Sequence, residues 1–560
     1  MKKILSVISF TLISIIMFAQ NTRETYIIKF KDKGQSPSYS ISNPTTFLSD
    51  RAIERRLLQQ IPLDETDLPV NPDYINEIKN NGAAIFYTSK WLNIAIAYVD
   101  DDQHINKIKG LSFVKDVRQS KVIEESKEKQ SFKQFFTREK YQKIDLDKYA
   151  NYKSLGFNYG PSANQAQMLK IDQLHNQGYT GNGITIAVID AGFNSVNTMV
   201  VFDSLRAGNK ILGTRDFVQP GNNVYNNNLS THGTMVLSTM GANLPGQIVG
   251  TAPHASYYLF RTEDATAEYL MEEFYWVQAA EYADSLGIDV LNTSLGYTRF
   301  DNPLEDHTYE DMDGNTTPIT IGADMAAKKG MLVINSAGNE GGNPWRYISA
   351  PADGDSVLTV GAVNYMGQYA YFSSTGPTAD GRIKPDVVAQ GYEAIVAIVP
   401  SGIAAASGTS FSSPIMSGAA ACLWQANPTY TNMEIYNAIK QSGNKSSNPD
   451  NLTGWGIPDF VVANSLLVGN ISEALADNTI KSYPNPFSDF IISEFYTHAT
   501  AQTEVRLINS MGMVIKTNKP ATLTQGINRI KFEDLGLLPN GIYFIQISDG
   551  TRSFTRKVVK

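Results

Sequence analysis

The chain has 560 residues, 42 % hydrophobic and 18 % charged, which is long enough for about two to four domains with at least one sizeable core. A formal net charge of −8 and the lack of a basic stripe exclude nucleic-acid binding through bulk charge. The single cysteine, Cys422, excludes an intramolecular disulfide, and no cysteine–histidine cluster suits zinc or iron.

The N-terminus has the pattern of an export signal. Two lysines precede the apolar stretch ILSVISFTLISIIMFA, which is too short and wrongly flanked for a membrane-spanning helix. We therefore predict a signal peptide at residues 1–19, cleaved after Ala19. No later stretch approaches transmembrane length.

Residues 20–120 alternate strand and helix patterns in the order βαββαβ, which predicts a small split-βαβ sandwich. The predicted strands are residues 26–30, 83–88, 93–99 and 113–117, and the predicted helices are residues 73–80 and 101–109. The stretch 36–69 is longer than this plan needs, and SDRAIERRLLQQ at residues 49–60 predicts an added helix.

A charged segment follows at residues 121–154. It is dense in Lys, Glu and Asp and has little apolar periodicity. We expect it to be an exposed, cleavable linker.

Two motifs then place a carboxylate and a base. Asp190 ends the apolar run ITIAVID, the pattern of a buried parallel strand, and open α/β sheets bind ligands at the carboxyl ends of such strands. His232 lies in STHGTMVLSTM, where Ser230 or Thr231 can cap a helix and small residues surround the imidazole. This setting suits a general base.

Two further strand patterns end in polar or small residues. Residues 288–292 run into Ser294, Leu295 and Gly296, whose exposed edge can pair with an extended peptide. Residues 331–335 run into a Gly-rich turn that carries Asn339. An amide donor held at the end of a strand can bind an oxyanion.

The heptapeptide GTSFSSP places Ser410 at the start of the Ala-rich run IMSGAAACLWQ, which predicts a helix. Free N–H groups and the positive end of the helix dipole favour developing negative charge at this position. A serine is a weak nucleophile at neutral pH, so the motif requires a base such as His232 and a carboxylate such as Asp190.

The order Asp190, His232, Ser410, together with HGTMV and GTSFSSP, resembles the subtilisin-like serine peptidases, or subtilases, over residues 159–467. The segment DAGF departs from the family pattern at Ala191 and Phe193 but keeps the carboxylate. The resemblance implies an α/β fold at residues 155–469, with a subtilisin-like, doubly wound and mostly parallel sheet. It also implies that the α+β unit at residues 20–120 is an inhibitory prodomain.

The same resemblance implies the roles of the site residues. Asp190, His232 and Ser410 would form the catalytic triad, and Asn339 with the N–H of Ser410 the oxyanion hole. Ser349 falls at the pocket floor, where subtilisin carries glycine, so the Ser349 side chain should shorten the pocket. No acidic residue is evident at this floor. Substrates with a medium apolar or polar side chain before the cut should therefore be preferred to substrates with Lys or Arg. The implied substrate-binding residues are Ser294, Leu295, Gly296, Ser336, Ala337, Gly338 and Ser349.

No cofactor is required for this chemistry. The acidic loop at residues 301–317 contains DMDGN, which has the oxygen ligands and Gly of calcium loops but lacks the spacing and terminal Glu of an EF-hand. The favoured interpretation is a solvated loop. Calcium stays an open alternative, because relatives often bind it, and no metal ligand is assigned.

Residues 480–560 alternate short predicted strands (490–495, 505–508, 529–532 and 542–547) with Gly and Asn turns, which predicts a small all-β sandwich. SYPNPF, SMGMVIK, LPNGIYFI and the final RKVVK resemble the C-terminal sorting domain of the type IX secretion system. That resemblance implies this machinery as a partner and a route through the periplasm to the outer surface of a Gram-negative bacterium or the medium. A carbohydrate-binding or spacer sandwich is the alternative. We expect the basic end, Arg556, Lys557 and Lys560, to be separate from the sandwich core.

Two functions are compatible with these patterns. The first is a secreted serine endopeptidase, made as a zymogen, that acts on protein or peptide substrates. The second is a catalytically inert surface adhesion or scaffold protein with the same fold. The presence of all four reacting groups, Asp190, His232, Ser410 and Asn339, favours the enzyme, because inert relatives usually lose one of them.

Overall fold

The computed structural model describes residues 24–36, 38–120, 142–143, 157–226, 228–467, 481–497, 504–518, 526–548 and 553–560. The predicted signal peptide lies outside the described residues, as does the predicted linker except for Gln142 and Lys143, and Phe157 marks the start of the next described segment. Among the described residues, no helix is both long and apolar enough to cross a membrane.

The N-terminal unit is a four-stranded sheet with its helices in the predicted βαββαβ order. The strand order is β2-β3-β1-β4, every pairing is antiparallel, and the predicted added helix is present as α1, capped by Ser49, whose side chain accepts from the N–H of Ala52 at 3.2 Å. The elements are β1 Glu24–Phe30, α1 Asp50–Leu58, α2 Pro72–Asn80, β2 Ala83–Ser89, β3 Ile94–Val99, α3 Asp102–Lys109 and β4 Val114–Ser120.

The central unit carries the candidate site. A two-residue strand, β5 Gln142–Lys143, precedes it along the chain. Its elements are α4 Ala163–Gln167, α5 Ile171–Asn176, β6 Thr185–Asp190, α6 Asp203–Ala207, β7 Ile211–Asp216, α7 His232–Gly241, β8 Asn243–Leu244, β9 Ile248–Val249, β10 Ser256–Arg261, α8 Met271–Leu286, β11 Val290–Thr293, α9 Pro318–Lys328, β12 Leu332–Ser336, β13 Val357–Val363, β14 Val387–Gln390, β15 Ala394–Ala397, β16 Ile403–Ala406, α10 Thr409–Ala426 and α11 Asn432–Gln441.

Seven of these strands form one parallel sheet in the order β14-β13-β12-β11-β6-β10-β7. Every residue of β6, β11, β12 and β13 is buried, because one hydrophobic core covers each face of the sheet. One core includes side chains of α7 and α10, and the other includes side chains of α8 and α9. The predicted doubly wound α/β fold is therefore confirmed.

The strand register aligns the carboxyl ends of the central strands. Asp190 pairs with Arg261 across β6 and β10, and Thr293 pairs with both Ile189 and Asn335. The residues that follow β6, β11 and β12 therefore leave the sheet at one edge, the edge where open α/β sheets bind ligands.

The C-terminal unit consists of two small antiparallel sheets, β17-β18-β21 and β20-β19-β22-β23, around a shared apolar core. Its strands are β17 Lys481–Tyr483, β18 Ile491–Thr497, β19 Glu504–Asn509, β20 Val514–Asn518, β21 Gly526–Phe532, β22 Ile542–Ser548 and β23 Ser553–Val559. The sequence patterns missed β17, β20 and β23, which are short or rich in polar residues.

The expectation that the basic end is separate from the core is wrong. Arg556 and Lys557 lie within β23, which pairs with β22, and Val558 is fully buried in the core of the sandwich. Lys560 donates its ammonium to the carbonyl of Ser488 at 2.7 Å. The physical reason is alternation: in a strand, neighbouring side chains face opposite sides, so Lys557 faces solvent while its neighbour Val558 fills the core.

Candidate active site

Asp190 and His232 form a buried pair at the carboxyl end of the sheet. The Nδ1 atom of His232 lies 2.8 Å from Oδ1 and 2.9 Å from Oδ2 of Asp190. Oδ1 of Asp190 also accepts from the N–H of Ala191 at 2.7 Å. These contacts fix the orientation of the carboxylate and of the imidazole that faces it.

The close approach of α7 to β6 depends on Gly233. A Cβ atom at this position would lie 2.4 Å from the carbonyl oxygen of Gly192 and 3.0 Å from the Cβ of Asp190. The small residue that follows His232 in the sequence thus allows the first turn of the helix to reach the end of the strand. Ser230 accepts from the N–H of His232 at 3.1 Å and so satisfies one free donor at the helix start.

Ser410 is the second residue of α10 and is fully buried. N–H groups in the first turn of a helix have no intrahelical partner, so the N–H of Ser410 is a donor suited to an anion. The hydroxyl of Ser294 donates to the carbonyl oxygen of Ser410 at 2.9 Å. Within the described part of the chain, the Ser410 hydroxyl itself makes no hydrogen bond.

Asn339 lies beside the start of α10. Its side-chain oxygen accepts from both the N–H and the hydroxyl of Thr409, each at 2.9 Å. Both bonds use the oxygen, so the amide nitrogen is the group that can donate to a substrate. The structure thus brings Asp190, His232, Ser410 and Asn339 to one edge of the sheet.

The residues predicted to bind substrate flank this site. Ser294, Leu295 and Gly296 directly follow β11, and Gly296 is partly exposed while its two neighbours are buried. On the predicted other wall, Ser336 ends β12 and Gly338 lies two residues beyond it. The side-chain oxygen of Ser349 would lie 3.1 Å from a Cβ at Gly338, which places Ser349 next to that wall.

Two hydroxyl groups of the predicted substrate groove are buried without a hydrogen-bond partner among the described residues. They belong to Ser336 and Ser349, both of which are fully buried. Buried polar groups are normally paired, so hydroxyls left over in a groove are suited to bind a polar group that enters it. The sequence analysis singled out the hydroxyl of Ser349. No sequence pattern indicated that the hydroxyl of Ser336 is also buried without a partner.

Two carboxylates of the acidic loop at residues 301–317 accept hydrogen bonds within the turns of the loop. Asp311 accepts from the N–H of Thr308 at 2.7 Å, and Asp313 accepts from the N–H of Asn315 at 2.8 Å. Within the described residues, the group of three potential metal ligands is Glu263, Glu268 and Glu272, which are buried, with one ligand atom of each within 4.8 Å of the others. The calcium hypothesis for the DMDGN loop stays a prediction.

Each of the three units is similar to a known family of protein domains. Residues 181–456 match the profile of the Subtilase family, residues 25–134 that of the Peptidase S8 propeptide domain of Bacteroidota, and residues 481–560 that of a secretion system C-terminal sorting domain. The crystal structure of MycP1 with its N-terminal propeptide removed aligns with 54 % of this chain and 96 % of that chain, at 25 % identity and a TM-score of 0.43.

Several Bacillus proteins are similar in sequence. Subtilisin E of Bacillus subtilis strain 168 is 34 % identical over 278 residues, which are 49 % of this chain and 64 % of the relative, so this chain spans slightly less than two thirds of that protein. Subtilisin of Bacillus pumilus is 33 % identical over 278 residues that cover 88 % of the relative. On this similarity and the fold, the chain belongs to the subtilase family.

Proposed function

We propose that the protein is a secreted serine endopeptidase made as a zymogen. The observation that carries this proposal is the buried Asp190–His232 pair, 2.8 Å apart, at the same sheet edge as Ser410 and Asn339. The propeptide and sorting-domain matches support a precursor that is exported. An inert scaffold would not need these four groups in one place.

The hydrogen bonds between Asp190 and His232 support a mechanism of acyl transfer through Ser410. Asp190 binds Nδ1–H of His232, which leaves Nε2 as the ring atom that takes the proton of Ser410 as its oxygen attacks the scissile carbonyl. His232 then returns this proton to the leaving amine, and Asp190 stabilises the imidazolium in between. Water hydrolyses the seryl ester by the same sequence of proton transfers.

The developing oxyanion would be bound by two donors, the N–H of Ser410 and the amide nitrogen of Asn339. The Asn339 oxygen is bonded to Thr409, so the amide is held in place before substrate arrives. A donor that needs no reorganisation stabilises the transition state more than the ground state.

An extended peptide would pair with Ser294 to Gly296, where Gly296 is the accessible residue, and its side chain before the scissile bond would enter the groove beside Ser336, Gly338 and Ser349. The hydroxyl of Ser349 should limit the size of that side chain. We expect medium apolar or polar residues to be preferred to Lys or Arg, as read from the cleavage products of a peptide library. A profile dominated by Lys or Arg would overturn this preference.

Export would use the C-terminal unit. The match of residues 481–560 to a sorting domain supports delivery by the type IX system from the periplasm across an outer membrane. The product would be secreted or held at the outer cell surface.

The central test is the Ser410→Ala variant. It should lose peptide hydrolysis and covalent labelling by a fluorophosphonate probe, while Ser356→Ala, a change at the opposite edge of the sheet, should keep both. Labelling and hydrolysis that survive in Ser410→Ala would show that Ser410 is not the nucleophile. A wild-type protein that is folded, free of its propeptide and still inactive would favour the scaffold.

A further inference from the structure

The segment between β1 and α2 binds the central unit at a place remote from the candidate active site. Residues 49–67, here called the anchor segment, include α1. The N–H of Ser49 donates to the carbonyl of Ser285 at 2.9 Å, and Nε of Arg51 donates to the carbonyl of Gly287 at 2.9 Å. Gln59 donates to the carbonyl of Gly330 at 2.8 Å and accepts from the N–H of Asn432 at 3.1 Å.

A buried cluster of charges lies at the centre of this contact. Arg55 and Arg56 both bind Oδ1 of Asp284, at 2.6 and 2.8 Å, and the Asp284 side chain is fully buried. Lys90, from the turn between β2 and β3, reaches the other oxygen of Asp284 at 3.1 Å. Asp284 belongs to the central unit, whereas all three cations belong to the N-terminal unit.

The anchor segment also supplies anions to a cation of the central unit. Lys329 donates to Asp64 at 3.0 Å and to Asp67 at 2.8 Å, and its side chain is 1 % exposed. Asp67 in turn accepts from Arg56 at 2.8 Å. The charges therefore interlock across the interface, with each unit holding the buried counter-ions of the other.

The effect of these cations on Asp284 is large. Burial alone would raise the pKa of Asp284, but Lys90, Arg56 and Arg55 hold that pKa well below its usual range. The carboxylate stays ionised in ordinary buffers, so the contact does not open by protonation of Asp284. Removal of the cations while the site stays closed would leave a buried charge without a partner, which is strongly unfavourable.

The anchor contacts lie at the edge of the sheet opposite the active site. Arg51 pairs with Asp289, which precedes β11, and Asp289 accepts from the N–H of Thr185, the first residue of β6. Asp190 is the last residue of the same strand. A six-residue strand separates its ends by roughly 16–20 Å. The anchor segment therefore does not reach the groove and does not obstruct substrate directly.

The sheet of the N-terminal unit makes a further contact along α8, the helix that also carries Asp284. Tyr87 packs against Phe274 with ring centroids 5.7 Å apart, and Glu281 accepts from the hydroxyl of Ser89 at 2.5 Å and from the N–H of Trp91 at 2.9 Å. Two linked contacts hold a fragment longer than either alone, because both must open together before the fragment can leave.

We infer that the anchor segment is a second docking element, which keeps the propeptide bound to the mature enzyme after the linker is cut, by charge pairing at the edge of the sheet remote from the groove. The inference rests on the proposed zymogen function. Cleavage of the linker alone then leaves a latent complex.

The test uses the full chain with Ser410→Ala and a recognition site for an unrelated, sequence-specific protease inserted after Lys129. After that protease cuts, the C-terminal fragment is captured on resin and the release of the N-terminal fragment is followed over time. The fragment with the native anchor should be retained. Arg55→Gln/Arg56→Gln should release it at least about tenfold faster, as expected when buried pairs are broken.

The matched control is Lys107→Gln/Lys109→Gln, which removes the same two charges from exposed positions on α3 and should leave release unchanged. Gln59→Ala leaves no buried charge unpaired and should accelerate release by a smaller factor, about threefold. It replaces the arginine variant as the test if that variant does not fold. Asp284→Asn should accelerate release, and its effect should not add to that of the arginine variant.

Prompt loss of the native fragment would overturn the inference, as would equal release from the Arg55→Gln/Arg56→Gln and Lys107→Gln/Lys109→Gln chains. The measurement does not depend on hydrolysis by Ser410. A separate failure of the Ser410 chain to hydrolyse any peptide would therefore overturn the proposed function and leave the release rates interpretable.

Discussion

The side-chain oxygen of Asn339 accepts two hydrogen bonds from Thr409, one from its N–H and one from its hydroxyl, each 2.9 Å long. Thr409 is the first residue of the helix that carries Ser410. The proposed oxyanion donor and the proposed nucleophile are thus tied to each other through one residue. This relationship fixes where a tetrahedral intermediate would have to lie.

Replacement of the donor should affect the chemical step. For Asn339→Ala we expect kcat to fall by about 10²–10³-fold with little change in KM, because the lost hydrogen bond forms mainly in the transition state. Steady-state kinetics on a peptide substrate measure this. Asn343→Ala, which removes an exposed amide four residues away, should be close to wild type. A change confined to KM would contradict the assigned role.

The size of the groove should depend on Ser349. Ser349→Gly removes a fully buried hydroxymethyl group, so we expect kcat/KM for peptides with Phe or Tyr before the scissile bond to rise by about tenfold. A set of peptides that differ at this position alone measures the change. Ser356→Gly, next to the start of β13 and remote from the groove, is the control. An unchanged profile in Ser349→Gly would place Ser349 outside the groove.

The position of Gln142 and Lys143 bears on maturation. Gln142 pairs with Ala405 of β16 and Lys143 pairs with Ala404, in antiparallel register. The step from Lys143 to Gln142 therefore runs in the same direction as the step from Ala404 to Ala405, which leads towards Ser410. Ala405 precedes Ser410 by five residues, at most about 18 Å of chain.

We therefore expect the maturation cut to fall within about ten residues on the N-terminal side of Gln142, since that length of extended chain spans the distance. Mass spectrometry of the new N-terminus, with wild type and Ser410→Ala made in a protease-free host, measures it. Ser410→Ala should stay full length. A mature N-terminus beyond Lys143, or identical processing of both chains, would contradict self-cleavage at this place.

Stability in acid should depend on His175. Burial lowers the pKa of His175 to about 4 from its ordinary 6.5. The ring is already satisfied when neutral, bonded to the Tyr159 hydroxyl at 2.6 Å and to the carbonyl of Thr251 at 3.0 Å. Below pH 6.5 the unfolded chain binds a proton that the folded protein does not, so stability falls as the pH drops towards 4, by up to about 3 kcal/mol.

His175→Gln should weaken this pH dependence, and His104→Gln, a partly exposed position on α3, should not. Chemical unfolding of the Ser410→Ala chain between pH 4 and pH 7, followed by tryptophan fluorescence, measures the slope. Equal slopes in both variants would assign the acid sensitivity to other groups.

The C-terminal unit should act in export and not in catalysis. It closes its own core, which includes Phe487, Leu507 and Val558, and no residue of the proposed active site belongs to it. A chain that ends at Gly469 should keep its turnover on peptides and stay inside the cell, as measured by activity in medium and periplasm. The full Ser410→Ala chain, detected by antibody, should still be exported. Secretion of the truncated chain would overturn the assignment of residues 481–560 to sorting.

Local sequence patterns predicted the strands and helices of the N-terminal unit and, in the central unit, the elements that carry the proposed site residues. The apolar run that ends in Asp190, the capped start of the His232 helix and the Gly-rich entry to the Ser410 helix each specify one element and the place of one side chain within it. Parallel strands run in the same direction, so side chains at their carboxyl ends lie at the same edge of the sheet. That rule supports the assignment of Asp190, Asn339 and the Ser294 segment to one site, which the resemblance to the subtilases implies.

The sequence by itself determined the elements that carry the reacting groups, the chain order of those groups and the separate β-rich tail, because periodicity and capping are properties of neighbouring residues. Only the tertiary structure decided that Ser294 bonds Ser410, 116 residues away, and that Arg56 meets Asp284 across 228 residues. It also decided that Val558 fills a core among charged neighbours. These contacts depend on how whole elements pack, since the energy of a buried charge or hydroxyl is set by what surrounds it and no local pattern encodes that environment.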